Sequence, residues 1–181
     1  MPPSDRRVRR TEAALLRALL ELMVEQGFDS VTVSQLVERA DVGRSTFYAH
    51  YADKEDLLQG SIKGLHGYLQ MRADAAAQSG AATHPVLAFC LPMLEHAHEN
   101  RRLFAKIAGR PGGVLILELF HDMWVELVRA AWPEADEIAV QSIVGAFGST
   151  MTWWLGSAPE LSPEEVMQRY ARVIAPTLPP R

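Results

Sequence analysis

The chain has a single cysteine, Cys90, among 181 residues. That excludes an intrachain disulfide framework and any cysteine-cluster zinc site, and it points to a reducing, cytoplasmic setting. Long apolar runs are also missing. No stretch approaches the ~18 uncharged apolar residues of a membrane span, so no membrane partner is expected. The opening MPPSDRRVRR carries charge with no apolar segment behind it, so it does not read as a secretory signal. Catalytic signatures are absent too. There is no Gly-x-Ser-x-Gly elbow, no Walker loop and no Gly-x-Gly-x-x-Gly fingerprint. His96 and His98 are two apart, on different sides of a helix, and no His-Glu-x-x-His run exists, so no metal is expected. No catalytic residue and no cofactor is expected, and the chain does not read as an enzyme. Cys90, mid-helix among apolar residues, reads as buried and inert.

What is present is an ordinary globular composition, 48% hydrophobic and 22% charged. The net charge of −4 is uneven. Residues 1–10 hold four arginines against one acid, residues 1–54 balance eight against eight, and the remainder is acidic. An anionic partner at the N-terminus is one implication, a solvated basic arm the other. Fifteen of the 18 basic residues are arginine. Arginine forms bidentate bonds to phosphate and guanine that lysine cannot, although genome base composition explains the bias equally well.

The hydrophobic pattern is helical nearly throughout, and about nine helices are expected in an all-α fold. Leu16, Leu19, Leu20, Met23 and Val24 form one stripe of a helix over 9–26, which Gly27 ends with a left-handed cap. Thr32 and Gln35 make a capping box that opens a short helix over 33–40. Asp41-Val42-Gly43 is a turn, and a second short helix follows from Arg44 to Tyr51. A long helix spans 54–78 and another 85–99, with Pro92 expected to kink it. Residues 101–108 read as a short helix, 114–132 as a strongly apolar one, and Pro133 as the start of a helix to about Leu155. Ser162-Pro163-Glu164-Glu165 opens the last helix, to about Ala175.

Residues 33–51, two short helices joined by a tight turn, have the layout of a DNA-reading helix-turn-helix. They equally have the layout of plain bundle packing. On the wheel of the second helix, Phe47 and Tyr51 define the buried face with Val42. Ser45 and Ala49 point most nearly opposite, flanked by Thr46 and Tyr48, with His50 beyond Thr46 and Arg44 in the first turn. A small polar centre rimmed by long donors suits a major-groove floor and its phosphates. Lys54 and Ser34, each at a helix start, are further phosphate candidates.

In this region the chain resembles the TetR family of transcriptional regulators. The residues that carry the resemblance are Gly27-Phe28, Thr32, Ala40-Asp41-Val42-Gly43, Thr46-Phe47-Tyr48-Ala49-His50-Tyr51 and Lys54-Glu55-Asp56-Leu57-Leu58. They cover about residues 9–62. Asp41 stands where the family has a turn glycine and Gly43 where it has a capping serine, together a loss of about 1 kcal/mol in local preorganisation. Tyr51 replaces the more usual Phe. The resemblance implies a homodimer with a DNA-binding domain at 5–53 and a helical effector-binding and dimerisation domain at 54–177. It implies DNA contacts by Ser34, Arg44, Ser45, Thr46, Tyr48, His50 and Lys54. Tyr48 and His50 would meet phosphates, and Arg44 and Ser45 bases. The arm Arg6–Arg10 reads as a disordered tail, with a minor-groove contact as the alternative.

Residues 134–155 and 162–175 are the expected dimer helices. Ser142, Gly145, Ala146, Gly148 and Ser149 leave one side of the first nearly bare, with Ile138, Val144, Phe147, Met151 and Leu155 on adjoining faces. Val166, Tyr170, Val173 and Ile174 do the same in the second. Phe89, Met93, His96, Phe104, His121, Trp124, Phe147, Met151 and Trp154 are candidates to line a pocket for a small hydrophobic effector, with ordinary core packing as the competing reading. The expected function is a ligand-released repressor acting as a homodimer on a pseudo-palindromic double-stranded DNA operator. The alternative is a helical ligand carrier or small enzyme with a vestigial DNA-binding domain.

Overall fold

A computed structural model of the chain describes residues 3–78, 84–102, 104, 114–158 and 160–178. Among these residues there are eight α-helices and no strand. They are α1 (Pro3–Gln26), α2 (Val33–Ala40), α3 (Arg44–Tyr48), α4 (Lys54–Gln78), α5 (Cys90–Glu99), α6 (Val114–Ala131), α7 (Glu137–Ser157) and α8 (Pro163–Ile174). The short helix expected over 101–108 falls mostly outside the described residues, as do the loop at 79–83 and the break at 110–113.

The first three helices form a small unit. The apolar stripe of α1 is buried through Leu15, Leu19, Leu22 and Met23. Gly27 closes α1 at φ +80°, a left-handed conformation a Cβ would disfavour, with its N–H donating to Met23 O at 2.9 Å. The capping box forms as read: Gln35 N–H donates to Thr32 Oγ1 and Thr32 N–H to Gln35 Oε1. α2 ends at Asp41, a non-glycine residue at φ +53°, where Val42 N–H reaches back to Val37 O. The basic arm does not trail off as a tail. The backbone is helical from Pro3, so the arm extends α1.

In the body, two boundaries differ from the sequence expectation. Pro92 does not kink a long helix. The segment breaks at 88–89 after a 3-10 turn at Pro85–Leu87, and Pro92 lies in the first turn of α5, where its missing N–H costs nothing. Pro133 does not open α7 either. Asp136 does, its carboxylate accepting from Ala139 N–H at 2.8 Å. The last helix begins as expected at a Ser162–Glu165 capping box, with Pro163 in its first turn.

The core of the body is aromatic. Phe147 of α7 meets Phe89 at 5.7 Å, Trp124 of α6 at 5.1 Å and Tyr170 of α8 at 5.4 Å, all edge-on. Gly148 allows the α6–α7 contact: a Cβ there would stand 3.1 Å from the Trp124 ring. α4 is tied to α5 by Arg72, which donates to Glu95 Oε2 at 2.8 Å and to Tyr68 Oη at 2.7 Å.

Candidate nucleic-acid interface

α2 and α3 are held at their angle by one aromatic anchor. Phe47 is fully buried, and Tyr51 and Val42 pack partly buried against the same core. Phe47 touches Tyr48 edge-on at 5.3 Å and Tyr51 at 5.9 Å. With Phe47 inward, the helical period turns Arg44, Ser45, Thr46, Tyr48 and Ala49 outward, and all five are exposed. Tyr48 is 59% exposed, an unusual position for a large aromatic whose ring contact among the described residues is Phe47. His50 is half-buried and lies 6.2 Å from the Tyr51 ring.

α3 is shorter than the helix expected over 44–51. Regular helix stops at Tyr48, and the chain turns through Ala49 and His50, with His50 and Tyr51 N–H groups both donating to Phe47 O. The N-cap, Gly43, has extended backbone geometry and no capping side chain. Arg44 reaches across the turn to donate to the Ser34 hydroxyl. The two candidate contacts on different helices are thus already one unit, and the guanidinium is drawn over the exposed face of α2.

Lys54 has a different environment from the one its position suggests. Its ammonium donates to three backbone carbonyls of the α1–α2 connection: Phe28 at 2.9 Å, Asp29 at 3.2 Å and Val31 at 3.0 Å. It lies 4.6 Å from the centre of the Phe28 ring, and its side chain is only 15% exposed. Three carbonyls match the three protons an ammonium carries. Lys54 is therefore a clamp between α4 and the α1–α2 connection, and its donors are taken up before any phosphate arrives. A lysine followed at the right spacing by a helix start looks the same in sequence whether it clamps or reaches outward. Arg39, which the sequence did not single out, is a second tie. It pairs with Glu25 at 2.9 Å and lies 3.6 Å from Glu21, fixing α2 on α1, and these acids hold its guanidinium above the usual range.

The nine candidate effector-lining residues are not gathered around one space. Phe89, Met93, Trp124, Phe147, Met151 and Trp154 are no more than 4% exposed and pack on one another in the core. Trp154 Nε1 donates to Leu161 O at 2.9 Å, whereas Trp124 Nε1 is buried without an acceptor among the described residues. His121 sits apart at the surface, hydrogen-bonded to Gln141 at 2.9 Å, and Gln141 in turn donates to Glu137. His96 and Phe104 line a cleft away from this cluster; burial holds the His96 imidazole below its usual range. Burial also pushes the Cys90 thiol and the Tyr170 phenol far up, so both stay protonated. Among the described residues no group of three or more His, Cys, Asp or Glu side chains could hold a metal ion. No helix there is long and apolar enough to cross a membrane.

Residues 15–60 match the sequence pattern of bacterial regulatory proteins of the tetR family. An HTH-type transcriptional regulator of Bacillus subtilis, YxbF, is 45% identical over 60 residues, 33% of this chain and 16% of the relative. The HTH-type transcriptional regulator TcmR of Streptomyces glaucescens is 42% identical over 53 residues, 29% of this chain and 24% of the relative. The matched segments thus span a quarter or less of these relatives. The similarity in fold extends further. A TetR transcriptional regulator from Streptococcus agalactiae superposes with a TM-score of 0.57 and 25% identity, over 94% of this chain and 97% of the other. The anchored short helix, the matched sequence around it and the shared helical body agree: residues 15–60 match the tetR-family pattern, and the chain as a whole is similar in fold to a TetR transcriptional regulator.

Proposed function

We propose that the protein is a cytoplasmic, DNA-binding transcriptional repressor that acts as a homodimer and is released from its operator by a small effector. The observation that carries the DNA reading is the orientation of α3. Phe47 is sealed beneath it while Arg44, Ser45, Thr46, Tyr48 and Ala49 face solvent. Ser45 and Ala49 are small enough to let the backbone approach base edges, and Arg44 is long enough to span two acceptors on a guanine. Tyr48 and His50 flank this strip and suit phosphate oxygens. In this reading residues 5–53 are the DNA-binding domain and 54–177 the effector and dimer domain.

The homodimer reading rests on α7 and α8. Ile138 and Val173 are 79% and 71% exposed, and Trp153 is 50% exposed. Ile138, Ser142, Gly145, Ser149 and Trp153 recur at helical spacing along one exposed stripe of α7. Nothing within 4 Å would obstruct a Cβ on Gly145, so this stripe is open to a partner helix. Two copies joined there would present two α3 helices to major grooves about one turn, ~34–36 Å, apart.

Footprinting of the genomic DNA flanking the gene tests this reading. Protection of a pseudo-palindrome, with affinity falling by several powers of salt, is the expected result. Equal affinity for the protein and for an Arg44→Ala, Tyr48→Phe double variant would remove α3 as the reader and favour a helical carrier or enzyme with a vestigial front domain.

A further inference from the structure

Among the described residues one seam between helices is open. Where α1 and α4 meet the end of α5 and one face of α6, a cleft of about 810 Å³ opens. Its floor is aliphatic. Leu16 and Leu20 of α1, Ile62 and Leu65 of α4 and Leu119 of α6 line it and are only half-buried. Its back wall is the stacked pair Phe104 and Phe120, 5.5 Å apart. The rim is cationic. Arg17, Arg101 and Arg102 border the cleft, Arg101 with one N–H already donated to Leu155 O at 3.4 Å, and His96 and His98 stand beside them. Among the described residues the acids on the lining are Glu21 and Glu99, and Glu21 lies 3.6 Å from Arg39 outside the cleft.

Five incompletely covered aliphatic side chains beside an excess of guanidinium groups favour one kind of molecule. An apolar chain laid on the floor removes those side chains from water. A carboxylate at the rim meets planar donor forks that match its two oxygens, which an ammonium or a hydroxyl head cannot exploit. The volume suits a small molecule rather than a polypeptide segment. We propose that this seam is a binding site for a small amphipathic monoanion of the medium-chain carboxylate class. The site bridges α1 of the DNA-facing unit and α4 to α6 of the body, so a molecule held there touches both. Occupancy favours whichever angle between them fits it best, and operator affinity shifts by the same coupling. That consequence rests on the DNA-reading proposal above; the binding itself does not.

Calorimetric titration of the full chain with decanoate, decyltrimethylammonium and decanol, without DNA, tests the site. Decanoate should bind once per chain and about tenfold or more tighter than the ammonium of equal chain length. An Arg17→Glu, Arg102→Glu double variant should bind decanoate about tenfold more weakly at unchanged Tm, since both side chains are exposed. No decanoate binding, equal affinity for the two head charges, or a double variant that binds decanoate like the unmodified chain would each overturn the inference while leaving the operator reading intact. A chain that binds decanoate with these preferences but protects no DNA would support the site and sink the operator reading.

Discussion

In the proposed reading Arg44 is the side chain on which base selection rests, and its position in the structure sets what removing it should do. It is exposed, it starts α3, and it donates to the Ser34 hydroxyl on α2. To read a base it exchanges that hydroxyl for a guanine edge, so part of what it gains on DNA it gives up within the protein. Arg44→Ala should weaken operator binding by about 1–3 kcal/mol and relax choice at one base pair. A binding survey over all single-base operator variants would show this as one flattened column; a uniform loss would instead make Arg44 a phosphate contact. Lys54 calls for the opposite assay. With its ammonium on three carbonyls and 15% of its side chain exposed, Lys54→Met should lower folding stability by about 1–3 kcal/mol. Urea denaturation measures that directly. The salt slope of DNA binding should barely change, whereas a flattened slope at unchanged stability would restore Lys54 as a phosphate ligand. The difference between the two residues was not legible in the sequence. Both are cations near a helix start, and what separates them is a contact between residues 23 to 26 positions apart in the chain.

At the scale of the element, legibility follows the range of the interaction. The Thr32–Gln35 capping box, the Ser162 cap and the left-handed Gly27 are set by neighbours within four residues, and the sequence showed them as the structure has them; the inward Phe47 follows from the helical period. The break before Pro92 and the delayed start of α7 depend on how segments pack, and helical periodicity runs straight through both. The candidate pocket failed to gather for the same reason: aromatic residues at helical spacing look alike whether they close on one another or surround a space. α3 itself is a short element with a weak start. Gly43 caps it with extended backbone and no side chain, and a Cβ there would meet Thr46 Oγ1 at 3.7 Å, an ordinary contact. Gly43→Ser should therefore fit, and it supplies the missing acceptor to the first turn. A gain of a few tenths of a kcal/mol in stability is expected. Operator binding should tighten by a similar amount, because less of the binding free energy goes into ordering α3. Thermal denaturation and a filter-binding isotherm check the two halves. Lower stability in the variant would mean that the loop needs the freedom of glycine there.

In the proposed reading the molecule regulates only if two copies hold their α3 helices at a fixed spacing, and the division of apolar residues along α7 and α8 favours these helices as the place where they would meet. Val144, Phe147, Met151 and Leu155 point into their own protomer, as do Val166, Tyr170 and Ile174. Gly148, which the sequence offered for helix–helix approach between copies, is occupied by the Trp124 ring within one copy. What remains outward is Ile138, Trp153 and Val173, too exposed for a lone chain to gain from them and placed on the two helices expected to pair. An Ile138→Glu, Trp153→Glu double variant leaves the buried core untouched and would put like charges opposite each other across a two-fold interface. It should sediment as a monomer at concentrations where the unmodified chain is a dimer. Monomeric protein keeps an intact α3 yet reads only one half-site, so affinity for the full operator should fall by at least about 100-fold while binding to an isolated half-site is unchanged. A variant that stays dimeric would move the interface off these helices. A monomer that still binds the full operator at the original affinity would mean that spacing between two copies contributes nothing to recognition.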